Sequence, residues 1–127
     1  MQEKHLFEYA VIRIVPRVER EEFLNAGVIL YCQKRKFLQM RFHINKDRLE
    51  CFCNELDAQD LKENLIAMEK ICSGTKDSGP IGRLDLAERF RWVTATRSTV
   101  LQASKVHPGF SEDPEQTLNK LFEQLVL

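Results

Sequence analysis

The densest chemistry in the sequence lies between Arg83 and His107. The run Glu88-Arg89-Phe90-Arg91-Trp92-Val93-Thr94-Ala95-Thr96-Arg97-Ser98-Thr99 mixes guanidinium groups, aromatic rings and hydroxyls. From Arg83 to His107, five basic residues (Arg83, Arg89, Arg91, Arg97, Lys105) stand against two acidic ones (Asp85, Glu88), a local excess of +3. Planar guanidinium forks suit a phosphate or a carboxylate, and the hydroxyls of Thr96, Ser98 and Thr99 can donate to the same anion. Arg97 stands out because the small residues Thr94-Ala95-Thr96 before it leave room for a ligand to approach. Trp92 among arginines would suit unpaired bases, which stack on such rings. The plainer reading of the same residues is structural: Arg89 and Arg91 make surface ion pairs while Phe90 and Trp92 fill the core. Exposure of Trp92 separates these readings.

Three smaller constellations compete with this one. Ser98 and His107 are the only pair suggesting a hydroxyl nucleophile with its base. Neither a G-x-S-x-G elbow nor a glycine-rich phosphate cradle accompanies them. His107, in His107-Pro108-Gly109, serves equally well as a residue that fixes a turn. Cys51-Phe52-Cys53, with His43 and Cys72 nearby in sequence, offers soft ligands to zinc. The spacing lacks the two close pairs of a structural site, and Cys32 and Cys72 fall in apolar patterns where a thiol acts as a small hydrophobe. Arg13 shares one side of a strand with Tyr9, Val11 and Val15. A guanidinium on such a face needs a carboxylate across the sheet or a route along it to water. If Arg13, His107 and Arg97 met at one end of the sheet, they would surround one phosphate or carboxylate.

The elements that must position these groups follow from the pattern of apolar residues. Leu6 to Val15 alternates as a strand and ends at Pro16. Gly27 to Cys32 is β-branched and aromatic, Gln33-Lys34-Arg35-Lys36 is a polar turn, and Phe37 to Phe42 returns as an antiparallel partner. Asn45 caps a short helix carrying Leu49 and Phe52. Asp57 caps a longer one in which Leu61, Leu65, Met68 and Cys72 share a face, with Gly74 as its left-handed stop. Thr75 to Gly82 reads as a mobile loop. A helix over Asp85 to Thr94 and a fourth strand over Thr99 to Ala103 follow. His107-Pro108-Gly109 is expected to turn the chain toward Asp113-Pro114-Glu115-Gln116, which opens a last helix carrying Leu118, Leu121, Phe122, Leu125 and Val126. That helix is expected to pack on the sheet. The order specifies one small α+β domain over residues 1–127: a mainly antiparallel sheet of about four strands with helices packed against it.

Composition sets the limits. The 127 residues carry 19 Lys+Arg and 19 Asp+Glu, with 43% hydrophobic and 30% charged residues. A chain of this size buries roughly two-thirds of its unfolded surface, enough for one core without staples. Zero net charge excludes a general nucleic-acid coat or a polybasic membrane binder, both of which need an uncompensated positive field. The charged start, Met1-Gln2-Glu3-Lys4-His5, and the short apolar runs fit neither a signal peptide nor a membrane span. Four cysteines within element patterns point to reduced thiols and a cytoplasmic location.

Tyr9-Ala10-Val11-Ile12-Arg13, Asn25-Ala26-Gly27-Val28-Ile29-Leu30, Glu88-Arg89-Phe90-Arg91-Trp92 with Arg97-Ser98-Thr99, and Val106-His107-Pro108-Gly109 together resemble a bacterial family, domain of unknown function 3037. The Arg-Phe-Arg-Trp and Arg-Ser-Thr stretches and the His-Pro-Gly segment are its most specific parts. Thr96 stands where that family typically has a proline. The resemblance implies no catalytic residue and no cofactor; it implies companionship with HipA-like kinases. The sequence is therefore expected to specify a non-catalytic binding or accessory protein whose partner is such a kinase. Its candidate contact residues are Arg13, Arg89, Arg91, Trp92, Arg97, Ser98, Thr99 and His107. A nucleotide or nucleic-acid binder and a small hydrolase using Ser98 and His107 are the rivals.

Overall fold

The computed structural model describes residues 3–17, 20–53, 55–95 and 100–127. Three strands, β1 (His5–Ile14), β2 (Leu24–Cys32) and β3 (Phe37–Phe42), form an antiparallel meander. The helices α1 (Lys46–Phe52), α2 (Ala58–Ser73) and α3 (Leu86–Thr94) follow, then β4 (Leu101–Ala103), β5 (His107–Ser111) and α4 (Pro114–Leu125). Among the described residues the sheet has five strands, in the order β3-β2-β1-β4 with β5 also on β1. Ile12–Ile14 of β1 pair with β4 and His5–Tyr9 pair with β5. Glu8 and Tyr9 already pair with β2, so β5 lies on the β4 side of β1.

Side-chain polarity explains the layers. Ile12, Ile14, Ile29, Tyr31, Leu38 and Met40 point from the sheet toward Leu49 of α1, Leu61 and Leu65 of α2, and Phe90 and Val93 of α3. The opposite face presents Phe7, Val28, Leu30 and Cys32 to Leu118 and Val126, with Leu121 and Phe122 packed alongside. Both faces of β2 are thus covered, which is why its sequence reads as a continuous apolar run instead of an alternation. Each helix begins at a side-chain cap: Asn45 accepts from Arg48 N, Asp57 from Gln59 N, Asp85 from Glu88 N, and Asp113 from Glu115 N and Gln116 N. Gly74 ends α2 at φ 69°, ψ 36° and donates its N–H to Lys70 O at 2.9 Å.

The expected α+β domain with its antiparallel sheet is what forms, and α4 packs on the sheet. Three local expectations change. His107-Pro108-Gly109 is no turn: it opens β5, opposite Tyr9, Glu8 and Phe7. An edge strand tolerates a proline because the missing N–H need not serve a neighbour. Gly109 admits the Phe7 ring, since a Cβ there would stand 2.5 Å from Phe7 Cζ. Residues Thr75 to Gly82 are not a plain loop, for they hold the 3-10 turn Lys76–Ser78 and start another at Ile81. The fourth strand begins at Leu101; Thr99 lies outside the described residues.

Between β4 and β5 the pairing along β1 is interrupted, and one side chain fills the gap. Ser104 is 6% exposed. Its backbone N donates to Val11 O at 2.8 Å, and Val11 N donates to Ser104 Oγ at 2.8 Å. The hydroxyl donates onward to Lys105 O at 2.9 Å. Both backbone groups of Val11 are therefore satisfied where no strand lies opposite.

Candidate functional site

The site is a cleft of about 440 Å³ bounded by α2, α3 and β4. Helical spacing creates it. Phe90 and Val93, three apart on α3, are 2% and 3% exposed in the core, which leaves Trp92 on the flank at 37% exposure. Its indole borders the cleft, facing Asn64, Ala67 and Met68 from α2 and Leu101 to Ala103 from β4. Among the described residues, none that line it is charged, although 30% of the chain is. Two amides, on Asn64 and Gln102, are its principal polar groups. Such a surface favours an uncharged, largely apolar occupant, because an ion entering it would lose hydration with nothing to replace it.

Of the described candidate contact residues, Trp92 lines the cleft, and Arg13, Arg89, Arg91 and His107 do not. Arg89 turns inward and donates from Nη1 to Ile71 O at 3.1 Å and Cys72 O at 3.0 Å. It thereby joins Gly74 N on Ile71 O and supplies a donor to Cys72 O at the end of α2, and its positive charge suits that end of the helix dipole. Its Nε is buried without a partner among the described residues. Burial pushes the Cys72 thiol up to about 12, with Arg89 opposing the shift. Arg91 is exposed on α3. The Tyr31 phenol is raised by burial, with Glu8 and Asp85 adding to the shift and Arg91 opposing it. Tyr31 also stacks on Phe90, ring centroids 5.2 Å apart.

Arg13 is half-buried, and its guanidinium lies over the Phe23 ring, 4.0 Å from the centroid. Phe23, just before β2, thus supplies an aromatic ring where a carboxylate or a route to water was expected, a cation–π contact. Asn25 and Gln102 flank Arg13 in register on β2 and β4. His107 stands opposite Tyr9 with the two rings 5.2 Å apart. Tyr9 precedes Arg13 by four residues, so His107 and Arg13 share a sheet face but are separated by roughly 13 Å along the strand, too far for one phosphate to bridge. Arg97, Ser98 and Thr99 lie outside the described residues. The cysteines are divided by the sheet: Cys32 belongs to the α4 layer and Cys72 to the α1–α3 layer, while Cys51 is exposed.

Two features had no signal in the sequence reading. Ser104 carries its role only because β4 stops short of β5. Asn25 reaches Leu125 O through Nδ2 at 2.9 Å and ties the end of α4 to the sheet, a contact across 100 positions that no local pattern announces.

A family model described as a protein of unknown function, DUF3037, matches residues 9–126. The chain belongs to the DUF3037 family. Neither a curated protein nor a solved structure matches it. The match to DUF3037 takes in every wall of the cleft, the Arg89 tie and the Ser104 bridge. Among the described residues, no helix of this DUF3037 chain is long and apolar enough to cross a membrane.

Proposed function

We propose that this DUF3037 chain is a cytoplasmic, non-catalytic binding protein, accessory to a HipA-like kinase, that receives an uncharged apolar element of its partner in the cleft beside Trp92. The observation that carries the reading is the cleft itself: a concave wall whose described residues carry no charge, next to a half-exposed indole, in a chain rich in charge. Aromatic anchors beside apolar hollows dominate binding energy at protein interfaces. The choice of kinase follows from the family resemblance alone. A nucleic-acid reading through Trp92 asks for cations around the indole, whereas Arg89 is turned onto the carbonyls of α2.

The test is co-expression of the two proteins with Ala67→Glu as the probe. Ala67 is exposed on α2 and lines the cleft, so a glutamate there puts charge at the mouth without removing a core contact. The wild-type pair is expected to co-elute at about micromolar concentration, and the variant to elute separately with its melting temperature unchanged. The sole tryptophan supplies a second readout, a blue-shifted emission as the partner dries the indole. Separate elution of the wild-type proteins, or co-elution of the variant with unshifted emission, overturns the proposal.

A further inference from the structure

The sheet ends on β3, at the opposite border from β4 and the cleft. His43 N donates to Ala26 O at 2.8 Å, which fixes the phase of the β2–β3 ladder. The alternation of an antiparallel pair then turns the backbone groups of Phe37, Gln39 and Arg41 toward β2, and those of Leu38, Met40 and Phe42 outward. Among the described residues, no strand or hydrogen-bonded turn meets these outward N–H and C=O groups. All six residues of β3 pair without a bulge or a proline, so the edge is a straight row about 20 Å long.

Charges set into a strand commonly guard such an edge. The one charged residue of β3, Arg41, is instead held to α4: its Nε donates to Asn119 Oδ1 at 3.0 Å, and Glu115 lies 3.8 Å away. Other cations stand at the two ends of the edge. Lys34, Arg35 and Lys36 precede β3 and Lys46 follows it, all exposed and without an ion pair among the described residues. From Gln33 to Lys46 there are thus five basic residues (Lys34, Arg35, Lys36, Arg41, Lys46) and no acidic one, in a chain whose 19 basic and 19 acidic residues otherwise cancel.

We propose that β3 receives an extended acidic segment of a partner protein as the next strand of the sheet, with its carboxylates on the cations at either end. The outward amides and carbonyls supply the main-chain bonds of strand addition, and charge selects the occupant. A second copy of this chain is disfavoured: two β3 edges joined antiparallel would set Lys34, Arg35 and Lys36 of each copy near Arg41 and Lys46 of the other, like charge on like. Phe37 and Phe42, partly buried on opposite faces of β3, offer apolar surface to cross-strand neighbours. The fitting segment therefore alternates β-branched residues between acidic ends.

Fluorescence anisotropy of the full chain tests this with a labelled peptide of alternating valine and threonine carrying glutamates at both ends, beside the same peptide with lysines in their place. The acidic peptide is expected to bind with a Kd of about 10–100 µM and to slow hydrogen exchange at the Leu38, Met40 and Phe42 amides. The lysine peptide should bind at least about tenfold more weakly. Lys34→Glu/Arg35→Glu, in the exposed turn, should weaken the acidic peptide by about tenfold with an unchanged thermal melt, and Ala67→Glu, at the cleft, should bind it as the wild type does. Equal affinity for the two peptides, no binding of the acidic one at about 1 mM, or undiminished binding by the charge-reversed variant overturns the proposal. Binding that leaves the three amides unprotected overturns it too, since the cations would then be holding an anion and not a strand. A wild type that dimerises in sedimentation velocity with the same amides protected would assign the edge to a second copy, which equally overturns it.

Discussion

Replacing Ser104 by alanine tests how β1 survives the break between β4 and β5. The substitution removes the hydroxyl that accepts from Val11 N at 2.8 Å and leaves intact the backbone bond from Ser104 N to Val11 O. Val11 is 7% exposed and Ser104 is 6% exposed, so water does not freely replace the lost acceptor. An orphaned buried N–H costs about 1–3 kcal/mol. The second bond of the hydroxyl, to Lys105 O, adds little because that carbonyl belongs to an exposed residue. With an unfolding entropy of about 2.1 cal/mol/K per residue over 127 residues, the expected fall in melting temperature is roughly 4–11 °C. Hydrogen exchange at the Val11 amide localises the effect: it should accelerate in Ser104→Ala beyond what the global loss explains, while amides in the β2–β3 pairing change only with overall stability. A melt shifted by less than about 2 °C with an unchanged Val11 amide, against an orphan penalty of this size, would refute the bridging argument.

Two further outcomes follow from the same packing. Arg89→Met should cost about 1–3 kcal/mol in urea unfolding by leaving the carbonyls of Ile71 and Cys72 without their charged donor, and should leave partner binding unchanged; full stability with lost binding would return Arg89 to a ligand role. The Cys72 thiol, held at about 12 by burial, stays protonated in the native chain where the unfolded one ionises. Between about pH 9 and pH 12 the folded state therefore binds more protons than the unfolded state, and stability falls with rising pH by up to about 1.4 kcal/mol per unit from this group. Cys72→Ala should flatten that limb relative to the wild type in denaturation curves at successive pH values, and equal slopes would contradict the assignment.

Local physics made much of the fold legible. Helix caps at Asn45, Asp57 and Asp113 act through residues two or three positions away, so sequence alone places them, while Asp85, read as the start of its helix, proves to be the cap before Leu86. The β2–β3 hairpin and the stripe of α4 are equally local, one through its polar turn and the other through helical spacing. His107-Pro108-Gly109 misleads for a physical reason. Proline and glycine favour turns in isolation, but here proline sits on an edge and glycine is needed for the space occupied by Phe7. That space exists only once β5 has paired with β1.

The candidate site divides along the same line. Arg89, Arg91 and Trp92 are adjacent in sequence, yet the 100° step of the helix sends Arg89 onto the end of α2, Arg91 to solvent and Trp92 to the cleft. Arg13 was recognisable as a cation on an apolar strand face, but its partner Phe23 emerges only when β2 pairs in register with β1. By itself the sequence determined the class of fold, most helix starts and a charge-balanced chain, because caps, periodicity and composition act over a few residues. Only the tertiary structure decided which arginine is a tie, where the uncharged cleft opens and why Ser104 is buried, because those depend on contacts between positions tens of residues apart, whose geometry is set by packing and not by neighbours along the chain.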